Sequence, residues 1–398
     1  MSTPTDHLVR PIVAGLSGTA RTGRALVEAA AAVLPLAWVP TPFPRTAADV
    51  DLDFLNRALS RFPARLVDAR PVGGTNGTTD RVRLELAWNR DDLDDLPRHV
   101  FIKSTPSSAK NRTMVAALAL ARNEALFYER ARSALGPRIA PECFAAHAGL
   151  GARHLLVLED IADRGGDPMA LCDDIDAAYA RAMMATLGEL HAAFWESPRF
   201  RGDLRFVRSE RERPGFALLL RQFRQVRTKL LKSDEYDLPR EVREMAEFVN
   251  ANDWALHANW ERGPQTLIHG DTHLGNSFGL PDGSVGLLDW QVLYRAPGLR
   301  DVAYFLVTSV PTEVRRAHGD ELLQTYLDSL AEHGVEEVPS LAQAWDAVRL
   351  FAFDAWDSCA ITLIWPGLQA PENVAKSNER ANAAIVDLDV MPVLRRSV

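Results

Sequence analysis

The sequence predicts an α+β chain in two lobes, a small antiparallel-sheet lobe followed by a large, mainly helical one. Three observations carry this. Between residues 65 and 105, "RLVDARPVGG", "DRVRLELAW" and "RHVFIKST" are short runs with alternating positions and many β-branched residues, the pattern of half-buried strands. Beyond about residue 162 the apolar positions take helical spacing, as in "AAYARAMMATLGELHAAFWES". One stretch, "LIHGDTHLGNSFGLPDGSVGLLDWQ" (267–291), interrupts the helices with two apolar runs around the turn "PDGS", a β-hairpin inside the helical lobe.

Residues 1–50 read as an N-terminal helical extension. "SGTARTGRALVEAAAAVL" is alanine-rich with Ser17 or Thr19 as N-cap, and the prolines of "PTPFPRTAADVD" end it. Asp51 to Leu59 reads as a second short helix. Residues 51–160 form the first lobe. The loop "GGTNGTT" (73–79) joins its first two strands, and Lys103 stands at the far end of the third. "VAALALARNEALFYERAR" (115–132) is a helix of strong helix formers, and "HLLVLEDI" (154–161) is an apolar strand where the lobes meet. Residues 161–398 form the second lobe, with helices in "GFALLLRQFRQVRTKLL" and "REVREMAEFVNANDWALHANW", then the hairpin, then helices from "DVAYFLVTSV" onward.

The bulk properties narrow the function classes. With 398 residues, 47% hydrophobic and 25% charged, the chain has ordinary globular composition and ample length for a core. A formal net charge of -8 argues against a nucleic-acid partner, which needs a basic face. Cys143, Cys172 and Cys359 are scattered and lack C-x-x-C spacing, which points to reduced thiols and no local zinc site. "EAAAAVLPLAWVP" is too short and too proline-broken for membrane insertion, and "MSTPTDHLVR" lacks the pattern of a signal peptide. A cytoplasmic location is expected; nothing in the sequence speaks to oligomeric state.

The chemistry concentrates in 267–291. "TLIHGD" is an apolar strand end leading to Asp271; Asn276 follows five residues later, and "SVGLLDW" ends at Asp289. A hairpin returns Asp289 towards the other two. Two carboxylates and one amide oxygen are hard ligands of the kind that magnesium takes. His269, Asp271 and Asn276 keep the His-x-Asp and Asp-to-Asn spacing of a protein-kinase catalytic loop. Asp289 takes the place of the later metal ligand, followed by Trp290 rather than Phe-Gly. Two other readings stay open. One is a metal-dependent hydrolase in which His269, Asp271 and His273, alternating on one face, grip zinc or iron. The other is a polar loop of Asx turns without chemistry. The hydrolase lacks an H-x-H-x-D-H or H-E-x-x-H motif, and neither reading explains Lys103 and Glu124 upstream in kinase order.

Together with "HVFIKS", "ARNEALFYE", "LLVLEDI", "LGELHAAFW" and "LRDVAYFL", the motif "HGDTHLGN…LLDW" resembles the aminoglycoside phosphotransferase-like kinases, especially the branch that includes ecdysteroid-kinase-like proteins. The resemblance covers roughly residues 65–365. It implies a bilobal protein-kinase-like fold with ATP, or GTP, and Mg2+ between the lobes. It makes Asp271 the catalytic residue, which accepts a hydrogen bond from the acceptor hydroxyl and takes its proton. It assigns Asn276 and Asp289 to the metal, and Lys103, paired with Glu124, to the α- and β-phosphates. Gly74, Thr75, Asn76, Gly77 and Thr78 would offer backbone N–H groups to phosphate, although the loop departs from G-x-G-x-x-G. The hinge backbone from Glu159 to Ile161 would pair with adenine. His269 reads as buried support for the loop, Asp301 as its brace, and His191 and Trp195 as core.

The expected function is therefore a small-molecule kinase that moves the γ-phosphate of ATP to a hydroxyl. The acceptor is expected to be partly apolar. Trp345, Phe351, Phe353, Trp356 and Trp365 crowd one segment, whereas Asp354 and Asp357 do not make the carboxylate wall that a polycation favours. The alternatives are an aminoglycoside or macrolide antibiotic phosphotransferase, the hydrolase above, and a non-catalytic kinase-like nucleotide-binding module. The intact set of Lys103, Asp271, Asn276 and Asp289 argues against the last.

Overall fold

The computed structural model describes residues 41–76, 79–90, 92–93, 95–365 and 369–398; the helix expected at 17–34 lies outside them. Among the described residues no helix is long and apolar enough to cross a membrane. The chain divides into two units. The first takes the described residues up to Leu126 together with Cys143–Asp160, and the second takes Phe127–Glu142 and Ile161–Val398.

In the first unit, α1 (Leu52–Ala58) starts where the Asp51 carboxylate accepts the Phe54 N–H at 2.7 Å. Next come β1 (Leu66–Asn76), β2 (Asp80–Trp88), β3 (His99–Ser104), α2 (Ala109–Ala117), α3 (Leu120–Leu126), β4 (Cys143–Ala148) and β5 (His154–Glu159). The strands form one antiparallel sheet in the order β1-β2-β3-β5-β4. The period of two places Leu84 and Leu86, Val100 and Ile102, and Leu155 and Val157 on one face, covered by Phe54, Leu55 and Leu59. Each such burial contributes about 1.5–3 kcal/mol. Strand β4, "CFAAHA", has three alanines, no β-branched residue and no alternation of apolar and polar positions, which is why periodicity did not reveal it.

Two sequence expectations change here. The loop read at 73–79 is largely strand: Gly73, Gly74, Thr75 and Asn76 pair with Arg83, Val82, Arg81 and Asp80. Glycine is required at 74 because a Cβ there would meet the Arg81 carbonyl oxygen at 2.6 Å. Gly77 and Thr78 lie outside the described residues. The single helix read at 115–132 begins earlier and is split. α2 starts after Ser108, and Ala119, left-handed at φ 57°, separates it from α3, because that conformation cannot continue the right-handed ladder.

Phe127–Glu142, inside the span assigned above to the first lobe, belongs to the second unit. It opens with a π-helical turn, Phe127–Ala131. The Phe127 ring stacks on Trp290 at 4.0 Å between centroids, and the Ile139 carbonyl accepts the Leu287 N–H at 2.7 Å.

The rest of the second unit runs β6 (Asp167–Pro168), α4 (Ala177–Ala193), α5 (Phe216–Lys232), α6 (Arg240–Leu256), β7 (Thr266–Ile268), β8 (Ser277–Gly279), β9 (Val285–Leu287), β10 (Tyr294–Ala296), α7 (Leu299–Thr308), α8 (Thr312–Glu332), α9 (Leu341–Ile364), α10 (Pro371–Leu388) and α11 (Met391–Arg396). The expected hairpin is β8–β9, extended by β6, while β7 pairs with β10. α4 packs so closely on α8 that a Cβ at Gly188 would meet the Ser329 Cβ at 2.5 Å. His191 is fully buried, as expected, but Trp195 is only half-buried; α4 ends at Ala193 and Phe194 takes the core position.

Candidate active site

In the second unit the site is built on the turn between β7 and β8. Gly270 is left-handed at φ 83°, and a Cβ there would come within 2.9 Å of the Val292 carbonyl, so only glycine turns the chain here. The His269 ring is fully buried. Its Nδ1 accepts the Asp271 N–H at 3.3 Å, so Nε2 carries the proton that it donates to the Leu288 carbonyl at 2.8 Å. Burial holds its pKa below the usual histidine value, consistent with this neutral tautomer. With both ring nitrogens engaged by backbone, His269 is not available as a zinc or iron ligand. That removes a member of the His269, Asp271 and His273 set on which the hydrolase reading rests.

Asp271 is held at both oxygens. The Tyr304 hydroxyl donates to Oδ1 at 3.0 Å, and the Asn276 Nδ2 donates to Oδ2 at 3.1 Å. His273 Nε2 stands 3.6 Å from Oδ2. The carboxylate remains 27% exposed, so a substrate hydroxyl can reach it. Asn276 Nδ2 also donates to the Asp271 carbonyl at 2.9 Å. Both amide protons are therefore used locally, which fixes the amide and leaves Oδ1 as its acceptor. The Leu288 N–H donates to the Asn276 carbonyl at 2.8 Å, so the β8–β9 hairpin brings Asp289 back to this turn. Asp289 is itself left-handed, at φ 62°, a conformation that costs a non-glycine residue free energy and marks a constrained position. An amide oxygen of fixed orientation, and a carboxylate that the hairpin returns to the same turn, are hard oxygens of the kind that magnesium takes. Trp290, fully buried, packs edge-on to His269 at 4.7 Å between centroids and thus holds the turn from behind.

α7 clamps the turn. Asp301, fully buried, accepts the N–H of His269 at 2.7 Å and of Gly270 at 3.0 Å. Burial works against its charge, but His191 and Arg300 hold its pKa below the usual carboxylate range. Arg300 donates to the Gly270 carbonyl at 2.7 Å and to Asp354 of α9 at 2.7 and 3.0 Å. Sequence reasoning found Asp301 but missed Arg300, Tyr304 and the pairing of Asp354. The available signal was position: 300, 301 and 304 lie within one turn of the helix that carries the brace.

In the first unit, Lys103 and Glu124 are both buried and paired, with Nζ 2.9 Å from Oε1 and 2.7 Å from Oε2. β3 presents the lysine and α3 the glutamate, so the interruption at Ala119 precedes the residue that neutralises Lys103. Gly74, Thr75 and Asn76 close the far end of β1. Glu159, half-buried, ends β5, and Ile161, buried, opens a 3-10 turn in the second unit.

The aromatic segment on α9 is mostly core. Phe351, Phe353 and Trp356 are at most 3% exposed, Trp345 is half-buried with its ring N–H on Asp320, and Trp365 is 37% exposed. Asp354 pairs with Arg300 and Asp357 with Arg227, so neither offers free negative charge.

The model of the ecdysteroid kinase-like family matches residues 74–336, and the chain belongs to that family of kinase-like small-molecule phosphotransferases. No curated protein matches it in sequence. Among solved structures it is similar to an ethanolamine kinase of Plasmodium vivax, at 12% identity and TM-score 0.48, covering 83% of each chain. It is also similar to an aminoglycoside 2'-phosphotransferase-IIIa in its GDP complex, at 13% identity and TM-score 0.49, covering 84% of this chain and 98% of that one. A third similar structure is a macrolide 2'-phosphotransferase from Brachybacterium faecium, at 17% identity and TM-score 0.42, covering 83% and 98%.

Proposed function

We propose that the chain transfers the γ-phosphate of ATP to a hydroxyl of a small molecule, with Asp271 as the group that accepts the hydroxyl proton. The observation that carries this is the Asp271 carboxylate, tied at both oxygens yet open to solvent, beside the fixed amide of Asn276. Phosphoryl transfer asks the protein for positioning and charge balance rather than covalent chemistry. Asp271 would orient the acceptor oxygen and take its proton late. Asn276 Oδ1 and the Asp289 carboxylate would hold magnesium, which supplies positive charge to the phosphate oxygens. Lys103, kept charged and in place by Glu124, would bind the α- and β-phosphates. The backbone of Gly74, Thr75, Asn76, Gly77 and Thr78 would meet phosphate, and that of Glu159 to Ile161 would meet adenine.

For the acceptor we favour a hydroxylated molecule with an apolar body over a polycation. The support is that Asp354 and Asp357 are neutralised by arginines, so this segment supplies no carboxylate wall. The test is magnesium- and ATP-dependent phosphorylation across a diverse alcohol library, read as mass gain. Phosphorylated products that require both magnesium and ATP are the expected result. Aminoglycosides as the sole acceptors would overturn the acceptor class. Nucleotide binding without turnover across the library would favour a binding module.

A further inference from the structure

We propose that Tyr304 positions the Asp271 carboxylate for phosphoryl transfer; the inference rests on the reading of Asp271 as proton acceptor. Among the described residues each Asp271 oxygen takes one protein hydrogen bond, Oδ1 from Tyr304 at 3.0 Å and Oδ2 from Asn276 at 3.1 Å. Asn276 belongs to the same turn and moves with it. Tyr304 comes from another element, α7, and so sets the carboxylate against a fixed frame. That frame is rigid for stated reasons. One turn earlier Arg300 grips the Gly270 carbonyl and Asp354, and its guanidinium lies over the Tyr304 ring at 4.6 Å. Asp301, between them in sequence, accepts the His269 and Gly270 N–H groups. A single helical turn thus holds the backbone of the site and, through Tyr304, its reactive group.

The tyrosine is 6% exposed, while Asp271 is 27% exposed, so the hydroxyl supports the carboxylate from the protein side and leaves the solvent side for substrate. Burial pushes the Tyr304 pKa well above the usual phenol value, which keeps its proton in place as a donor. Two anchored oxygens stop the carboxylate from turning about its Cβ–Cγ bond, and the remaining lone pairs keep one direction.

The experiment compares Tyr304→Phe, Asp271→Ala and the double variant. Turnover of magnesium-ATP is read as ADP release with the alcohol library pooled as acceptor, and the melting midpoint is recorded for each variant. Tyr304→Phe keeps the ring and its contact with Arg300. The expected result is a kcat loss of roughly ten- to a hundredfold, the range of one hydrogen bond to a charged group, with KM for ATP within about twofold. In the Asp271→Ala background the same change is expected to bring no further loss. An unchanged kcat in Tyr304→Phe, with Asp271→Ala inactive, would overturn this inference alone. So would an equal further loss on top of Asp271→Ala, or a loss explained by a lowered melting midpoint. Normal turnover in Asp271→Ala would overturn both the inference and the functional reading beneath it.

Discussion

Asp301 accepts the backbone N–H of His269 at 2.7 Å and, through its other oxygen, that of Gly270 at 3.0 Å. One buried carboxylate therefore satisfies two buried donors in a turn that no regular ladder serves. Asp301→Ala leaves both unpaired. Each costs about 1–3 kcal/mol, so urea unfolding is expected to show a loss of several kcal/mol. Asp301→Asn keeps an acceptor at one oxygen, and a smaller loss is expected.

In the proposed mechanism, Asp271→Ala removes the group that aims the acceptor hydroxyl. A rate loss of roughly 10²–10⁴ is expected, with nucleotide affinity kept. Single-turnover kinetics and a fluorescent-nucleotide titration check the two halves separately. Near-normal turnover would take Asp271 out of the mechanism.

Asp289→Ala is expected to weaken nucleotide binding only where magnesium is present. Titrating magnesium at fixed nucleotide should move the half-saturation point to higher concentration, and Asn276→Ala should act in the same direction. An unchanged magnesium dependence in both would remove them as ligands.

Arg300 and Asp354 form a buried pair between α7 and α9. Asp354→Ala leaves the guanidinium without its main counter-charge. The expected loss is about 3–5 kcal/mol in chemical unfolding. A change below about 1 kcal/mol would mean that Asp301 and the Gly270 carbonyl are sufficient partners.

His257 is fully buried among the rings of Trp260, Phe216 and Phe353, and burial pushes its pKa down from 6.5 to about 4. The folded-state value is lowered, so between pH 6.5 and 4 the unfolded chain binds the proton and the folded one does not. Stability from this group is complete above pH 6.5 and is lost as pH falls towards 4, by about 3 kcal/mol. Unfolding midpoints from pH 7 to 4 should fall less steeply in His257→Gln than in the parent chain. Parallel profiles would show that other groups set the acid limb.

The strands β1, β2 and β3 and the helix α4 were legible because each repeats a local period, two or about three and a half, and β5 and the hairpin β8–β9 because they are apolar runs bounded by polar turns. The spacing of Asp271 and Asn276 and the return of Asp289 were legible for a related reason: a short loop and a hairpin constrain distance through sequence alone. Lys103 and Glu124 were singled out only by the resemblance to the kinase family. By itself, then, the sequence determined the α+β class, the turn at 269–276 and the hairpin that returns the chain to it.

The tertiary structure decided what those residues lean on. It split the helix at Ala119, extended β1 through the glycines, and moved Phe127–Glu142 to the second unit by the stack of Phe127 on Trp290. It also tied Asp271 to Tyr304 across 33 positions and Arg300 to Asp354 across 54. The physical reason is range. A period records which face of an element is buried, whereas a buried hydrogen bond or ion pair depends on which distant element arrives opposite, and that is settled only when the whole core packs.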